Sequence, residues 1–150
     1  MNELMQVLKN KEMTLSCAES LTGGLFGSTI TSFSGASKVF KGGVICYDNE
    51  VKINVLNVDK EIIDTYGVVS SACASMMARG VKKLLNTDVA LSFTGNAGPD
   101  VLEGKPVGLV YIGICIGETS FSFEYQFEGD RNSIRKQCVE EGIKKILQLI

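Results

Sequence analysis

The sequence predicts an α/β fold in three layers (α/β/α), a mixed sheet with helices on both faces and a hairpin near its C-terminal end, on three observations. Strand-like and helix-like segments alternate through the first two thirds of the chain. Two strand-like runs then meet across Gly117-Glu118, a hairpin signal that makes the sheet mixed rather than purely parallel. Residues 70–86 carry Cys73, Met76, Met77, Gly80, Val81, Leu84 and Leu85 at three- and four-residue spacing, the stripe of a helix packed on a core.

In chain order, residues 3–10 place Leu4, Met5, Val7 and Leu8 in a short helical pattern, and residues 13–18 read as a buried strand. A helix is expected from about Ser20, although Gly23, Gly24 and Gly27 in it cost about 1 kcal/mol each relative to alanine, which suggests close approach of the backbone to something. After a turn at residues 34–37, residues 39–47 form a strand and residues 49–57 a short helix carrying Lys52. Ser70 or Ser71 caps the long amphipathic helix. Strands follow at 88–93, 107–116 and 119–127, with a loop over 94–106. The last helix begins near Asp130 and aligns Ile134, Cys138, Ile143, Ile146, Leu147 and Ile150. Neither a repeat nor a linker interrupts the 150 residues, which read as one domain.

Composition removes several function classes. Fifteen basic and 17 acidic residues leave a net charge of -2 without a basic block, so nucleic acid is a poor partner. Cys17, Cys46, Cys73, Cys115 and Cys138 contain no C-x-x-C pair and read as reduced thiols of a cytoplasmic protein, with no metal site expected. The start, Asn2-Glu3-Leu4-Met5-Gln6, lacks the pattern of a secretory leader, and no apolar run reaches the ~20 residues of a bilayer span. With no histidine in the chain, neither a Ser-His-Asp triad nor a Cys-His pair can be built, and acid-base chemistry falls to Lys, Tyr, Cys, Asp or Glu.

Four segments could carry chemistry. At Ala18-Glu19-Ser20-Leu21-Thr22-Gly23-Gly24 a strand gives way to a glycine-rich helix start, where free N–H groups suit an anion or oxyanion; a plain helix cap at Ser20 is the alternative. In Cys46-Tyr47-Asp48-Asn49-Glu50-Val51-Lys52 a desolvated lysine could act as general base with the tyrosine as relay, whereas a solvated lysine is the ordinary outcome. Residues 94–108 gather four glycines and both prolines into a shaped loop after a strand, where Thr94, Asn96 and backbone amides could hold a sugar, phosphate or amide, or simply connect two strands. Arg131 and Arg135 stand four residues apart at the start of the last helix, suited to bidentate phosphate recognition or to pairing with Glu128 or Asp130.

Taken in order, Ala18-Glu19-Ser20-x-Thr22-Gly23-Gly24, Tyr47-x-Asn49-x-x-Lys52, Gly67-Val68-Val69-Ser70, Thr94-Gly95-x-Ala97-Gly98-Pro99 running into Lys105-Pro106-Val107-Gly108, and Gly129-Asp130-Arg131-x-x-x-Arg135 resemble the CinA C-terminal, or nicotinamide-nucleotide amidase, family over nearly the whole chain. The resemblance implies an α/β/α fold and cofactor-free, metal-independent hydrolysis of nicotinamide mononucleotide to nicotinate mononucleotide and ammonia in pyridine-nucleotide salvage. A catalytically silent nucleotide-binding or regulatory domain is the alternative, and a homo-oligomer stays open. On this likeness Ser20 is the nucleophile, Lys52 the base with Tyr47 assisting, and the amides near Thr22, Gly23 and Gly24 the oxyanion donors. Thr94, Asn96 and Arg131 or Arg135 orient the ribose phosphate, and the matched positions Glu19, Asn49, Gly95, Ala97, Gly98 and Lys105 complete the expected substrate site. Two positions depart from the family pattern: Leu21 stands where cysteine is usual, and Asp100-Val101-Leu102-Glu103-Gly104 replaces a glycine-rich continuation. Many members also carry a larger N-terminal nucleotide-processing domain.

Overall fold

The structure is a computed structural model and describes residues 2–150. Among these, five strands form one sheet and six α-helices cover it, joined by one short 3-10 turn at Ala36–Lys38. The helices are α1 Asn2–Asn10, α2 Leu25–Thr31, α3 Asn49–Asn54, α4 Lys60–Tyr66, α5 Ser71–Leu85 and α6 Arg131–Leu149. The strands are β1 Leu15–Glu19, β2 Phe40–Ile45, β3 Val89–Gly95, β4 Leu109–Ile116 and β5 Thr119–Gln126, in the order β2-β1-β3-β4-β5. β1 runs parallel to both β2 and β3, while β4 is antiparallel to β3 and to β5. The expected mixed sheet with its hairpin is what forms.

Strand alternation divides the core into two. Leu15, Cys17, Leu91, Phe93, Ile112 and Ile114 face one side, where α1, α2 and α6 supply Leu4, Leu8, Phe26, Ile30, Ile134, Cys138 and Ile146. Ala18 and Ala90 face the other, under Cys73, Met77 and Val81 of α5, with Leu56, Val58, Val68 and Val69 around them. Small residues on this second face let α5 come close: Ser92 Oγ donates to the Ala74 carbonyl at 2.6 Å. A side chain at Gly113 would collide with that same carbonyl. β1 is buried along its whole length between its parallel neighbours β2 and β3, so the carboxyl ends of three parallel strands share one edge, where α/β folds place ligands.

Several boundaries differ from those expected. α2 starts at Leu25, not near Ser20, because Gly23 and Gly24 take left-handed φ values of 54° and 106° and make residues 20–24 a turn. The glycines therefore build the turn instead of weakening a helix. The helix expected over 49–57 ends at Asn54, and α4, which follows, was not anticipated. Asp59 starts α4 by accepting from the Glu61 amide, and none of its seven residues is buried, so no apolar stripe announces it. Ser70 caps α5 through the Cys73 amide, and Asp130 caps α6 through the Ser133 amide. On α6 the buried face includes Val139 and Gly142 beside Ile134, Cys138, Ile143 and Ile146, while Leu147 and Ile150 pack at its edge. Among the described residues no helix is long and apolar enough to cross a membrane.

Candidate functional site

Ser20 follows the last residue of β1, and its amide donates to the Phe93 carbonyl of β3 at 3.0 Å, so the central strand pair fixes its position. Lys52 comes from α3, whose start is set by Asp48 accepting the Glu50 amide at 2.8 Å. Its side chain runs inward until it is 1% exposed. There Nζ lies 2.6 Å from the Cys46 carbonyl, 3.3 Å from the Tyr47 carbonyl and 3.0 Å from Ser20 Oγ. Both carbonyls can only accept. A neutral amine has two N–H bonds and one lone pair, so donating to the two carbonyls leaves its lone pair for the Ser20 hydroxyl proton.

Burial also pulls the Lys52 ammonium below the ordinary lysine value. The neighbours Cys46 and Cys73 oppose that shift only as thiolates. Their own thiols are pushed up by burial to about 11 and about 12, so near neutral pH they carry no charge, and the Asp48 carboxylate offsets only part of the effect of burial. No carboxylate pairs with the ammonium within salt-bridge reach among the described residues. A buried, unpaired lysine against a serine hydroxyl is the arrangement of an activated nucleophile.

Ser20 opens into a pocket of about 500 Å³. Of the residues expected to bind substrate, Asn49, Gly95, Asn96, Ala97 and Arg131 line it, together with Tyr47. Tyr47 meets Lys52 through its backbone carbonyl, not its phenol; the hydroxyl instead accepts from Arg131 at 3.3 Å, on a side chain that is 63% exposed. Arg131 also donates to the Gly98 carbonyl at 2.8 Å, which ties the start of α6 to the 94–106 loop.

Other expected site residues hold the scaffold. The Glu19 carboxylate is buried and accepts from the amides of Gly24, Phe26 and Gly27 at 3.1, 3.0 and 2.9 Å, so it anchors the start of α2 and does not reach the pocket. The helix cap is accordingly Gly24 with this carboxylate, and Ser20 caps nothing. Gly23 and Gly24 are also unavailable as oxyanion donors, because their amides go to the Ser20 carbonyl and to Glu19. Next to Ser20 the amides of Leu21 and Thr22 donate to no acceptor among the described residues. The Thr22 side chain is fully buried, and Thr94 Oγ1 donates to the Val68 carbonyl at 2.7 Å. Arg135 donates to the carbonyls of Leu21 and Thr22 at 3.0 and 2.9 Å and thereby braces the serine turn from α6. Lys105 donates to the carbonyls of Tyr66 and Val69 at 2.9 and 2.6 Å, away from the pocket lining.

Asp48, Asp100, Val101, Leu102 and Leu21 also line the pocket; none was named singly as a site residue from sequence, although Asp100, Val101 and Leu102 lie in the departing loop, whose change bears on the substrate. Among the described residues no group of three or more His, Cys, Asp or Glu side chains is placed to hold a metal ion.

A three-layer α/β protein with a serine just after β1 and a buried lysine of α3 against its hydroxyl is the class that fold and site define. The model of the CinA C-terminal domain matches residues 1–150, and the chain belongs to that family. It is 50% identical over 148 residues to a competence-damage inducible protein of Bacillus subtilis, covering 99% of this chain and 36% of that one. It is also 50% identical over 139 residues to a Bacillus cereus protein of the same name, covering 92% and 34%. The chain thus spans about a third of the length of these relatives. Among solved structures it is similar to a CinA superfamily protein from Escherichia coli, with a TM-score of 0.96, 28% identity, and 99% and 87% of the two chains covered. The competence/damage inducible protein CihA from Agrobacterium tumefaciens gives a TM-score of 0.94 at 30% identity, covering 99% and 92%.

Proposed function

We propose that residues 1–150 form one cytoplasmic, metal-independent amidohydrolase domain that converts nicotinamide mononucleotide to nicotinate mononucleotide and ammonia. The observation that carries this reading is the 3.0 Å contact between Ser20 Oγ and the Nζ of a lysine that is 1% exposed. In this scheme Lys52 takes the Ser20 hydroxyl proton as Oγ bonds to the carboxamide carbon, and the amides of Leu21 and Thr22 face the developing oxyanion. The carbon–nitrogen bond then breaks, with Lys52 returning its proton to the leaving ammonia. Water, deprotonated by Lys52 in its turn, bonds to the acyl carbon, and the bond from that carbon to Ser20 Oγ breaks as Lys52 returns the proton to Oγ, freeing the acid. Tyr47 acts by holding Arg131, and Arg131 faces the phosphate.

The test is ammonia release from nicotinamide mononucleotide in the presence of a chelator, with Ser20→Ala alongside. Release by the wild type that disappears in the variant, at unchanged melting temperature, supports the reading. Binding of the nucleotide without release defines instead a silent nucleotide-binding domain.

A further inference from the structure

Two large apolar side chains at the mouth of the Ser20 pocket, Val101 and Leu102, are 43% and 55% exposed. Exposed leucines on loops are common, but the backbone carrying this one is fixed on both sides. Asn96, 3% exposed, accepts the Leu102 amide on Oδ1 at 3.0 Å and donates from Nδ2 to the Leu102 carbonyl at 3.2 Å. Its Nδ2 also donates to the Lys105 carbonyl at 3.1 Å, closing the loop on itself. The next residue, Glu103, takes a left-handed φ of 61°, a conformation that non-glycine residues adopt at a cost. What holds it there is its carboxylate, which accepts the amides of Val68 and Val69 at 2.8 and 3.0 Å. Lys105 donates to Glu103 at 3.3 Å and to the Val69 carbonyl, so loop and α5 entrance are latched together.

A connection whose only task is to join β3 to β4 needs none of this. The bonds converge on presenting Leu102, which lines one pocket with Ser20, Leu21 and Tyr47. We propose that Val101 and Leu102 form a rigid apolar wall against which the flat ring bearing the scissile carboxamide lies, with Asn96 and Glu103 as the residues that position it. This inference rests on the amidase reading and names the part of the substrate that the loop recognises. A flat ring buries apolar area on such a wall at little conformational cost.

The test compares wild type, Leu102→Ala and Leu102→Phe in the full chain, reading kcat and KM on nicotinamide mononucleotide and, by calorimetry, binding of nicotinate mononucleotide. Leu102→Ala should raise KM and weaken binding by about tenfold while kcat stays within about twofold, the loss expected when one leucine contact is removed from bound and transition states alike. Leu102→Phe should keep KM and binding near wild type, because it restores apolar area, and both variants should melt like wild type. Unchanged KM and binding in Leu102→Ala overturns the wall, and so does a Leu102→Phe variant as impaired as the alanine one. If the wild type releases no ammonia the amidase reading fails, yet binding weakened by alanine and restored by phenylalanine still upholds the wall. Absence of binding by the wild type overturns both.

Discussion

The Lys52 ammonium nitrogen and the Cys46 carbonyl oxygen stand 2.6 Å apart, so the chain segment leaving β2 grips the lysine that α3 sends inward. Arginine keeps a positive charge at this place but cannot give up a proton near neutral pH. Lys52→Arg should therefore lower kcat by at least ~10²-fold, while calorimetry still detects nucleotide binding. An arginine variant that keeps most of the activity would limit Lys52 to an electrostatic role.

Burial lowers the Lys52 pKa, and in the proposed scheme the base is the neutral amine, so activity should rise with pH. Log kcat should climb with unit slope and level off below the ordinary lysine value, because above its lowered pKa the amine is already free. The same shift makes the folded chain bind fewer protons than the unfolded one between those two pKa values, so this group's contribution to stability increases with pH across that window. A kcat that stays flat from the acid limit of folding up to the ordinary lysine value would count against Lys52 as the base.

Glu19 was read from sequence as a substrate residue, and the structure makes it the anchor of α2. Glutamine in its place turns one acceptor oxygen into a donor facing backbone N–H groups. Glu19→Gln should cost roughly 3 kcal/mol of stability, a fall in Tm on the order of 10 °C for a chain of this length. Thermal unfolding followed by circular dichroism measures it, and a variant within a degree or two of wild type would contradict the anchoring role.

Why some of the site was legible and some not follows from how far each signal travels along the chain. Ser20 and Lys52 stand out locally, at a strand end and on a helix just after the next strand, and parallel pairing of β1 with β2 brings those two strand ends together. The true place of Glu19 was also within reach: in a strand, residues two apart share a face, so Glu19 shares that of Leu15 and Cys17, which α2 and α6 cover. Arg135 and Glu103 were not open to that reasoning. Their partners lie more than a hundred and more than thirty residues away, and only the finished fold shows that one braces the serine turn and the other latches a loop. α4 escaped notice for a different reason, since a helix with no buried residue leaves no periodic trace.

Asp88, just before β3, accepts the amide and the hydroxyl of Thr14 at 2.7 and 2.8 Å, and these bonds hold its carboxyl below the ordinary aspartate value. A lowered pKa in the folded state adds stability above the unfolded value that is lost as pH falls through the folded one. Wild type should thus lose more Tm on acidification from pH 5 toward pH 2 than Asp88→Asn does. Parallel Tm curves for the two proteins would remove Asp88 from the acid response.

Arg131 and Arg135 begin the same helix, yet their guanidinium groups meet different parts of the molecule and should fail differently when removed. Arg131 lines the pocket and is held by the Gly98 carbonyl and the Tyr47 hydroxyl, with N–H groups left over for an anion. Losing one charge-assisted contact to a phosphate is worth about 2 kcal/mol, so Arg131→Ala should raise KM for the mononucleotide more than tenfold with little change in Tm. For a carboxamide substrate without the phosphate the same variant should match wild type. Arg135 spends its donors on the carbonyls of Leu21 and Thr22, and its loss frees the turn that carries Ser20 and the two amides proposed to face the oxyanion. Arg135→Ala should therefore lower kcat on both substrates alike and reduce Tm by several degrees. Steady-state kinetics on the phosphorylated and unphosphorylated substrates, with melting curves for both variants, separates the two roles. Should Arg135→Ala affect only the phosphorylated substrate, it would have to be moved from the scaffold into the phosphate site.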